Sequence, residues 1–518
     1  MEMMNLNQIL FPFFAICVLI GSFQCLVDTK TPRGHLQPFG SHADPSVITD
    51  ELDTVPNSLK FYENYVKPQK PVVFRGAAKQ SRAYHEWTEE YLINEYGDLT
   101  VRLEARHEGN KDIPPGEGGL LGRDTVKHFI ENYQNIDGYI ISQVPGPMER
   151  DVSIPPCLLC GTFTNGIQEV HLFLSAGGGK TLVHQDPYEN IHCVFNGTKK
   201  WILVHPDQTD LIYLSPSSLE EFGGYSLIDV DAVDLIKYPK IQQVKYAILT
   251  LNKGDCIYMP SGYLHQVRSN GLMNSAVAIW FSFFTKSHPF EGADCNKDLE
   301  FKPMSEVDVL WKFDGYNDLQ QGHMDIYVLK TVLLTSADKN GQIWLDKFTK
   351  HFIQFEDEDE DTADYCDNIR HQFCDILDPN GRGYVTVGEV KELSIDMLKK
   401  LLLTFDPTDV SNTVEFEYSH IAANDIIKLA THLATIGPDP GFHGDEFINR
   451  YVTDIGGTPE KAKEILTGLG ADETGLVTME MVQKNIGKAV EKFKTARHHD
   501  PTVEHLWFEH LKKHGELE

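Results

Sequence analysis

The chain has 518 residues, which is too many for one hydrophobic core and predicts two or three domains. Its composition is that of a globular protein, with 41% hydrophobic and 24% charged residues. The formal net charge of -30 argues against nucleic acid as a partner, because binding a duplex relies on Lys and Arg replacing the counterions around phosphates.

The amino terminus contains an uncharged segment, Met3–Val27, whose apolar run Ile9–Ile20 has the length of a signal-peptide core. The segment predicts a signal peptide at residues 1–25 and therefore a lumenal endoplasmic reticulum or secreted protein. A retained membrane anchor is the alternative, since a helix needs about 20 apolar residues to cross a bilayer. A membrane partner is expected only if the segment is not cleaved.

The next part of the chain predicts a mixed region followed by many short strands. The patterns predict helices at Leu59–Val66 and Glu86–Tyr96 and strands at Pro71–Phe74 and Thr100–Ala105. Short apolar runs separated by Gly, Pro and Asn turns then favour a β-barrel or sandwich. These runs are GYIISQV (138–144), EVHLFLSA (169–176), HCVF (192–195), WILVHP (201–206), YAILTL (246–251), DCIYMP (255–260) and AVAIWFSFF (276–284).

From about residue 300 the pattern becomes helical, which places a domain boundary near 290–320. Predicted helices are Met324–Leu334, Val387–Leu403 and Ile421–Leu433, interrupted by the acidic linker Glu356–Asp361.

The chain has nine cysteines, two of them within the amino-terminal segment. A local disulfide between Cys157 and Cys160 is plausible in an oxidising compartment. Cys366 and Cys374 pair with each other or with nothing.

The most informative motif is His184-Gln-Asp186, followed much later by His265. Two histidines and one carboxylate form a facial triad that leaves three coordination positions of iron(II) open for O2 and a chelating keto acid. Residues two apart on a strand share a face, so His184 and Asp186 point the same way. A distant strand must supply His265. A lone His-x-Asp would usually be accidental, and the surrounding sequence decides the case.

The blocks TLVHQDPYENIHCVFNGTKKWILVHP and KGDCIYMPSGYLHQVRS resemble the JmjC branch of the cupin oxygenases. FYENYVKPQKPVVFRGAA and WTEEYL resemble the lead-in of that branch, and the likeness covers about residues 45–290. The resemblance implies an α+β multidomain protein with N-terminal helices and a double-stranded β-helix barrel.

By position, the resemblance implies that His184, Asp186 and His265 bind iron. Lys199 would pair with the distal carboxylate of 2-oxoglutarate, because a buried lysine needs an anion. Thr181 matches a hydroxyl donor to the same carboxylate, and Asn190 matches a polar lining position. Relatives often place Asn in the last core strand, where this chain has Ala-Ile-Trp-Phe-Ser at 278–282.

The helical part, 300–490, resembles EF-hand proteins at one loop and is expected to be an all-α EF-hand-like domain, followed by a helix or tail at 491–518. The loop starting at Asp378 predicts a calcium site with ligands Asp378, Asn380, Tyr384, Thr386 and Glu389. Arg382 stands where the loop needs an oxygen ligand. Weaker loops occur at Ser336–Lys347, Gly470–Met481 and Asp406–Glu417.

Three functions are weighed on these residues. The leading prediction is a dioxygenase that uses iron(II), 2-oxoglutarate and O2 to hydroxylate a protein or peptide in the secretory pathway. The second is a catalytically silent scaffold whose helical half responds to calcium. Histone demethylation fits the leader and the charge poorly.

Overall fold

The computed structural model describes residues 31–105, 122–135, 138–214, 224–316, 325–354, 363–405, 423–436, 441–455, 459–472, 474–494 and 504–517. The predicted signal peptide, the acidic linker and the loop at 406–417 lie outside these ranges. Within them, every helix is too short or too polar to cross a bilayer.

A ten-stranded sheet forms the centre of the amino-terminal half, in the order β1-β2-β10-β8-β11-β7-β5-β3-β4 with β9 beside β8. Its strands are β1 (Asp50–Leu52), β2 (Val72–Phe74), β3 (Thr100–Ala105), β4 (Gly122–Thr125), β5 (Gly138–Gln143), β7 (Ile167–Ala176), β8 (Glu189–Val204), β9 (Tyr246–Asn252), β10 (Cys256–Met259) and β11 (Leu264–Phe281). A separate pair joins β6 (Ser153–Ile154) to β12 (Lys302–Pro303).

The barrel closes because β8 and β11 are long and bent, so each belongs to two walls. Residues 189–194 and 196 of β8 pair with the second part of β11, whereas 198–204 pair with its first part and with β9. Gly197 lies at the bend with φ 72°, and a Cβ there would come within 2.5 Å of the Asn270 carbonyl oxygen. The bend therefore requires glycine. This geometry confirms the predicted cupin barrel and α+β class.

Alternating side chains give the barrel an inner and an outer face. Val277, Ile279 and Phe281 of β11 belong to a core shared with the amino-terminal helices, whereas Ala276 packs with Val194 and other residues inside the barrel.

The helices of this half are α1 (Ser58–Phe61), α2 (Arg82–Glu86), α3 (Glu89–Tyr96), α4 (Val126–Asn132) and α5 (Thr209–Ile212), and a π-helical turn at Tyr62–Val66 continues α1. The expected helix Glu86–Tyr96 is wrong at its start. The Thr88 side chain accepts a hydrogen bond from the Tyr91 N–H, so Thr88 caps a new helix.

The carboxyl-terminal half contains ten helices among the described residues. They are α6 (Ile326–Thr335), α7 (Leu345–Phe352), α8 (Ala363–Leu377), α9 (Val387–Lys391), α10 (Ile395–Leu402), α11 (Ala423–Ile436), α12 (Gly444–Arg450), α13 (Pro459–Leu469), α14 (Met479–Lys494) and α15 (Glu504–Lys513). A π-helical turn at Tyr451–Ile455 continues α12. The prediction of one helix at Val387–Leu403 is wrong, because the Ser394 side chain caps α10 by accepting from the Met397 N–H.

Helix–loop–helix units in this half are joined in pairs by short strands. β13 (Gln342–Trp344) pairs with β14 (Tyr384–Thr386), and β15 (Gly441–His443) pairs with β16 (Leu476–Thr478). The half is therefore not purely helical, and its EF-hand assignment remains a prediction. Two hydrophobic clusters support the two pairs, and Trp507 of α15 lies in the first of them.

Two disulfides lie in the amino-terminal half. Cys193 of β8 is bonded to Cys256 of β10, and Cys160 is bonded to Cys295. The predicted local bridge between Cys157 and Cys160 is therefore wrong, and Cys157 is a buried free thiol. Cys374 is also free.

Candidate metal centre and its pocket

His184, Asp186 and His265 converge at one end of the barrel. His184 and His265 exchange both backbone hydrogen bonds, with N···O distances of 3.0 and 2.8 Å. The carbonyl of Asp186 accepts from the Gly262 N–H at 2.8 Å. One ligand atom from each of the three side chains lies within 4.8 Å of the other two. The backbone pairing thus brings together residues that are 81 positions apart.

The two imidazole rings are oriented for metal binding. His184 Nδ1 lies 3.0 Å from the Leu182 carbonyl oxygen, and His265 Nδ1 lies 2.9 Å from that of Tyr263. Since a carbonyl can only accept, each Nδ1 carries the proton and each Nε2 presents a lone pair. Those Nε2 atoms lie 3.8 and 3.7 Å from the Asp186 carboxylate oxygens. This is the arrangement in which a backbone partner fixes the ligating tautomer.

The surroundings keep the deeper ring neutral. His265 is buried and stacks on Trp201 at a centroid distance of 5.3 Å. Burial, and then the neighbouring His184, lower the pKa of His265 to about 4. A neutral imidazole is the form that binds a metal ion.

Lys199 lies inside the barrel, buried to 6% exposure. Its hydrogen bond among the described residues is to Ser269 Oγ at 3.0 Å, and the Phe173 ring lies 5.9 Å from Nζ. Burial lowers the pKa of Lys199 to about 8. A buried ammonium group whose hydrogen bond within the described part of the chain is to a hydroxyl fits an anionic ligand.

Several polar atoms in the barrel have no hydrogen-bond partner among the described residues. They include Asn190 Oδ1, His192 Nε2 and Trp201 Nε1. His192 contacts both Phe173 and Trp201 at ring-centroid distances of 5.3 Å. Buried polar atoms are normally paired, so this cluster fits a polar ligand such as a dicarboxylate.

Thr181 and Asn190 differ in their hydrogen bonds. The Thr181 hydroxyl oxygen accepts from the Val267 N–H at 2.9 Å, which leaves the hydroxyl proton to donate. Asn190 is paired with Met259 and Trp280 in the sheet. The residue in hydrogen-bond contact with Lys199 is Ser269, which the sequence reasoning missed, along with His192 and Trp201. Their approach depends on the pairing of β8 with β11, which no local motif signals.

A second group of metal-ligating residue types, Cys160, Asp294 and Cys295, is explained by the disulfide. Bonding between the two sulfur atoms removes both thiolates, so this group is not a metal centre.

The predicted calcium loop is arranged around an arginine. Arg382 Nε donates to Asp378 Oδ1 at 3.1 Å, and its Nη2 donates to Glu389 Oε1 at 2.9 Å. The other Glu389 oxygen accepts from both the N–H and the hydroxyl of Thr386 at 2.8 Å. Tyr384 lies 5.2 Å from the guanidinium carbon, and Asn380 is exposed. Three of the five predicted ligands, Asp378, Tyr384 and Glu389, therefore contact the guanidinium, which bridges the two carboxylates.

Residues 58–287 match the model of the family described as "Cupin-like domain". The chain is similar to "Jumonji C domain-containing protein 5" of Drosophila melanogaster, at 28% identity over 45% of this chain and 59% of that protein. It is 25% identical to "Lysine-specific demethylase 8" of Xenopus tropicalis over 48% of this chain and 59% of that protein. It is 24% identical to the human "Bifunctional peptidase and (3S)-lysyl hydroxylase JMJD7" over 51% and 90%. The chain thus spans about three fifths of the length of two of these relatives.

Proposed function

Starting from the JmjC-type cupin domain that this chain contains, we propose that the protein is an iron(II)- and 2-oxoglutarate-dependent dioxygenase that hydroxylates a protein or peptide. The observation that carries the proposal is the buried Lys199 ammonium, which lies in the same barrel as the His184, Asp186 and His265 triad. A site for a divalent cation and a site for an anion in one pocket match a keto acid that chelates metal at one end.

The residues divide the work as follows. The Nε2 atoms of His184 and His265 and the Asp186 carboxylate would hold iron(II). Lys199 and Ser269 would hold the distal carboxylate of 2-oxoglutarate, with the Thr181 hydroxyl as a further donor. Iron with 2-oxoglutarate supplies the oxidation: a C–H bond, O2 and 2-oxoglutarate become an alcohol, succinate and CO2. Apolar side chains such as Phe173 and Val267 exclude water from the cosubstrate.

The printed names of the relatives support an oxygenase that acts on proteins, since they include a lysyl hydroxylase and lysine demethylases. Hydroxylation of an N-methyl carbon is also the first step of demethylation. Formaldehyde release by the purified protein from a methylated peptide would therefore contradict the choice of a hydroxylase.

We also propose that the protein works in the secretory pathway. The two disulfides support this location, because such bonds persist in oxidising compartments. The Met3–Val27 segment is consistent with entry into that pathway. Mass spectrometry of non-reduced protein from cells should find the Cys160–Cys295 peptide pair. Its absence in favour of free thiols would contradict the location.

Succinate formation from 2-oxoglutarate tests the central proposal. We expect the purified protein to release succinate in the presence of iron(II). His184→Ala should lower the rate by more than about 100-fold, because removing a metal ligand has a larger effect than removing a residue that orients one. His432→Ala changes an exposed histidine of α11 and serves as the control. Wild-type protein that neither binds 2-oxoglutarate nor forms succinate would support the silent scaffold instead.

A further inference from the structure

Trp280 lies on the inner wall of the barrel, one row beyond His192. In β11, Ala276 pairs with Val194 and Phe173, Ala278 pairs with His192 and His171, and Trp280 pairs with Asn190 and Glu169. The first row is at the level of Lys199, because Phe173 lies near that ammonium. The second is at the level of the metal centre, because His192 contacts Trp201, which stacks on His265. The third row therefore lies on the far side of the metal level from Lys199.

Two other rings stack on the Trp280 indole. His171 stacks on one side at 4.2 Å with an interplanar angle of 25°, and Tyr188 stacks at 5.3 Å and 17°. The small side chain of Ala278 leaves room for the His171 contact. These contacts occupy stacking surface of the indole, so we look to its polar edge for recognition of a substrate.

The edge of this stack offers one donor and one acceptor. Trp280 Nε1–H and His171 Nδ1 are both buried and have no hydrogen-bond partner among the described residues. His171 Nε2 lies 2.7 Å from a carboxylate oxygen of Glu169, which can only accept from it. Nε2 therefore carries a proton, and an imidazole with one proton uses its other nitrogen, here Nδ1, as an acceptor. Buried polar atoms are normally paired, so both atoms fit a polar ligand.

We propose that these two atoms bind the backbone of one extended residue of the substrate, whose carbonyl accepts from Trp280 and whose N–H donates to His171. The inference rests on the proposed function and deepens it, since it names the peptide backbone as the group that holds the substrate beside the metal centre. In an extended residue the N–H and the C=O point to the same side of the chain, so together they match a donor and an acceptor on one edge of the stack. A lone carbonyl or an ester would satisfy only Trp280.

Nuclear magnetic resonance of the full chain, loaded with zinc and 2-oxoglutarate, tests this directly. The probes are acetyl-trialanine N-methylamide and a trilactate of the same length in which every amide N–H is replaced by an ester oxygen. We expect saturable movement of the Trp280 indole N–H signal with the peptide. Binding of the ester should be about tenfold weaker, the value of one hydrogen bond.

Trp280→Phe serves both to assign the signal and to remove the donor while keeping a ring in the stack. We expect it to bind the peptide about tenfold more weakly than wild type. Trp280→Tyr assigns the signal if the first variant does not fold.

Two results would overturn the inference: an indole signal that the peptide does not move, or equal binding of peptide and ester. These failures differ from failure of the proposed function. If only this inference fails, wild-type protein still converts 2-oxoglutarate to succinate. If the proposed function fails, it does not.

Discussion

The two halves of the molecule each assemble a group of side chains suited to a cation, and they leave it in opposite states. In the barrel, the Asp186 carboxylate lies 3.8 and 3.7 Å from the Nε2 atoms of the two histidines. In the helical half, the guanidinium of Arg382 bridges Asp378 and Glu389. The acidic groups of the loop are thus neutralised by the chain itself, while those of the barrel are available to a metal ion.

The difference shows what a ligand pattern does and does not establish. Asp378 and Glu389 stand at the first and last positions of a calcium loop, and a motif scored on such positions favours a site. One residue, Arg382, changes the outcome because a cation within the loop competes with any ion. In the barrel, backbone carbonyls accept hydrogen bonds from the Nδ1–H groups, so the lone pairs of Nε2 face the metal position.

Substitution of Lys199 tests whether the barrel binds the anion. We expect Lys199→Met to weaken 2-oxoglutarate binding by roughly 10- to 100-fold, since a hydrogen bond to a charged group contributes about 1.5–3 kcal/mol. Calorimetry with 2-oxoglutarate measures the effect, and manganese binding to the triad should change little.

Lys200→Met is the matched control, because Lys200 is the next residue on β8 and is exposed. Equal losses in the two variants would show that the barrel interior does not bind the anion.

The pH dependence of 2-oxoglutarate binding tests the role of the Lys199 charge. With a pKa of about 8, Lys199 is charged below pH 8 and loses its charge as the pH rises above it. We therefore expect affinity to be highest below pH 8 and to fall about tenfold between pH 7 and pH 9.

Proton uptake on binding, measured by calorimetry in two buffers, gives a second readout. Uptake should rise from about 0.1 proton per ligand at pH 7 to about 0.9 at pH 9, provided the bound carboxylate restores the charge. Lys199→Arg stays charged throughout this range and should show no such rise. A flat wild-type profile would contradict the role of Lys199.

Much of the barrel could be predicted because its signals are local. Alternating apolar residues predict strands such as Thr100–Ala105, and His184, Asp186 and Lys199 lie close together in the sequence. Ser269 could not be predicted as the partner of Lys199, because their contact depends on the register between β8 and β11, 70 residues apart. The same holds for Cys160 and Cys295, which are 135 residues apart.

Substitution of Arg382 tests whether its guanidinium prevents calcium binding at the Asp378 loop. We expect Arg382→Ser to convert the Asp378 loop into a weak calcium site. The substitution removes the guanidinium that compensates the charges of Asp378 and Glu389, and the serine hydroxyl adds an oxygen ligand. With a dissociation constant of about 1 mM, 10 mM calcium would stabilise the variant by about 1.4 kcal/mol. Wild-type protein should show no change, since calcium would have to displace a guanidinium held by two carboxylates.

Thermal unfolding with and without calcium measures this effect. The double variant Arg382→Ser/Glu389→Gln should lose the calcium response, because it removes one charge from the last ligand while keeping its size. If calcium stabilises wild type as much as Arg382→Ser, this prediction is wrong. Calcium would then displace the guanidinium, and the calcium site predicted from the sequence would be correct. If calcium stabilises only the variant, the loop is an ion-independent connection between α8 and α9.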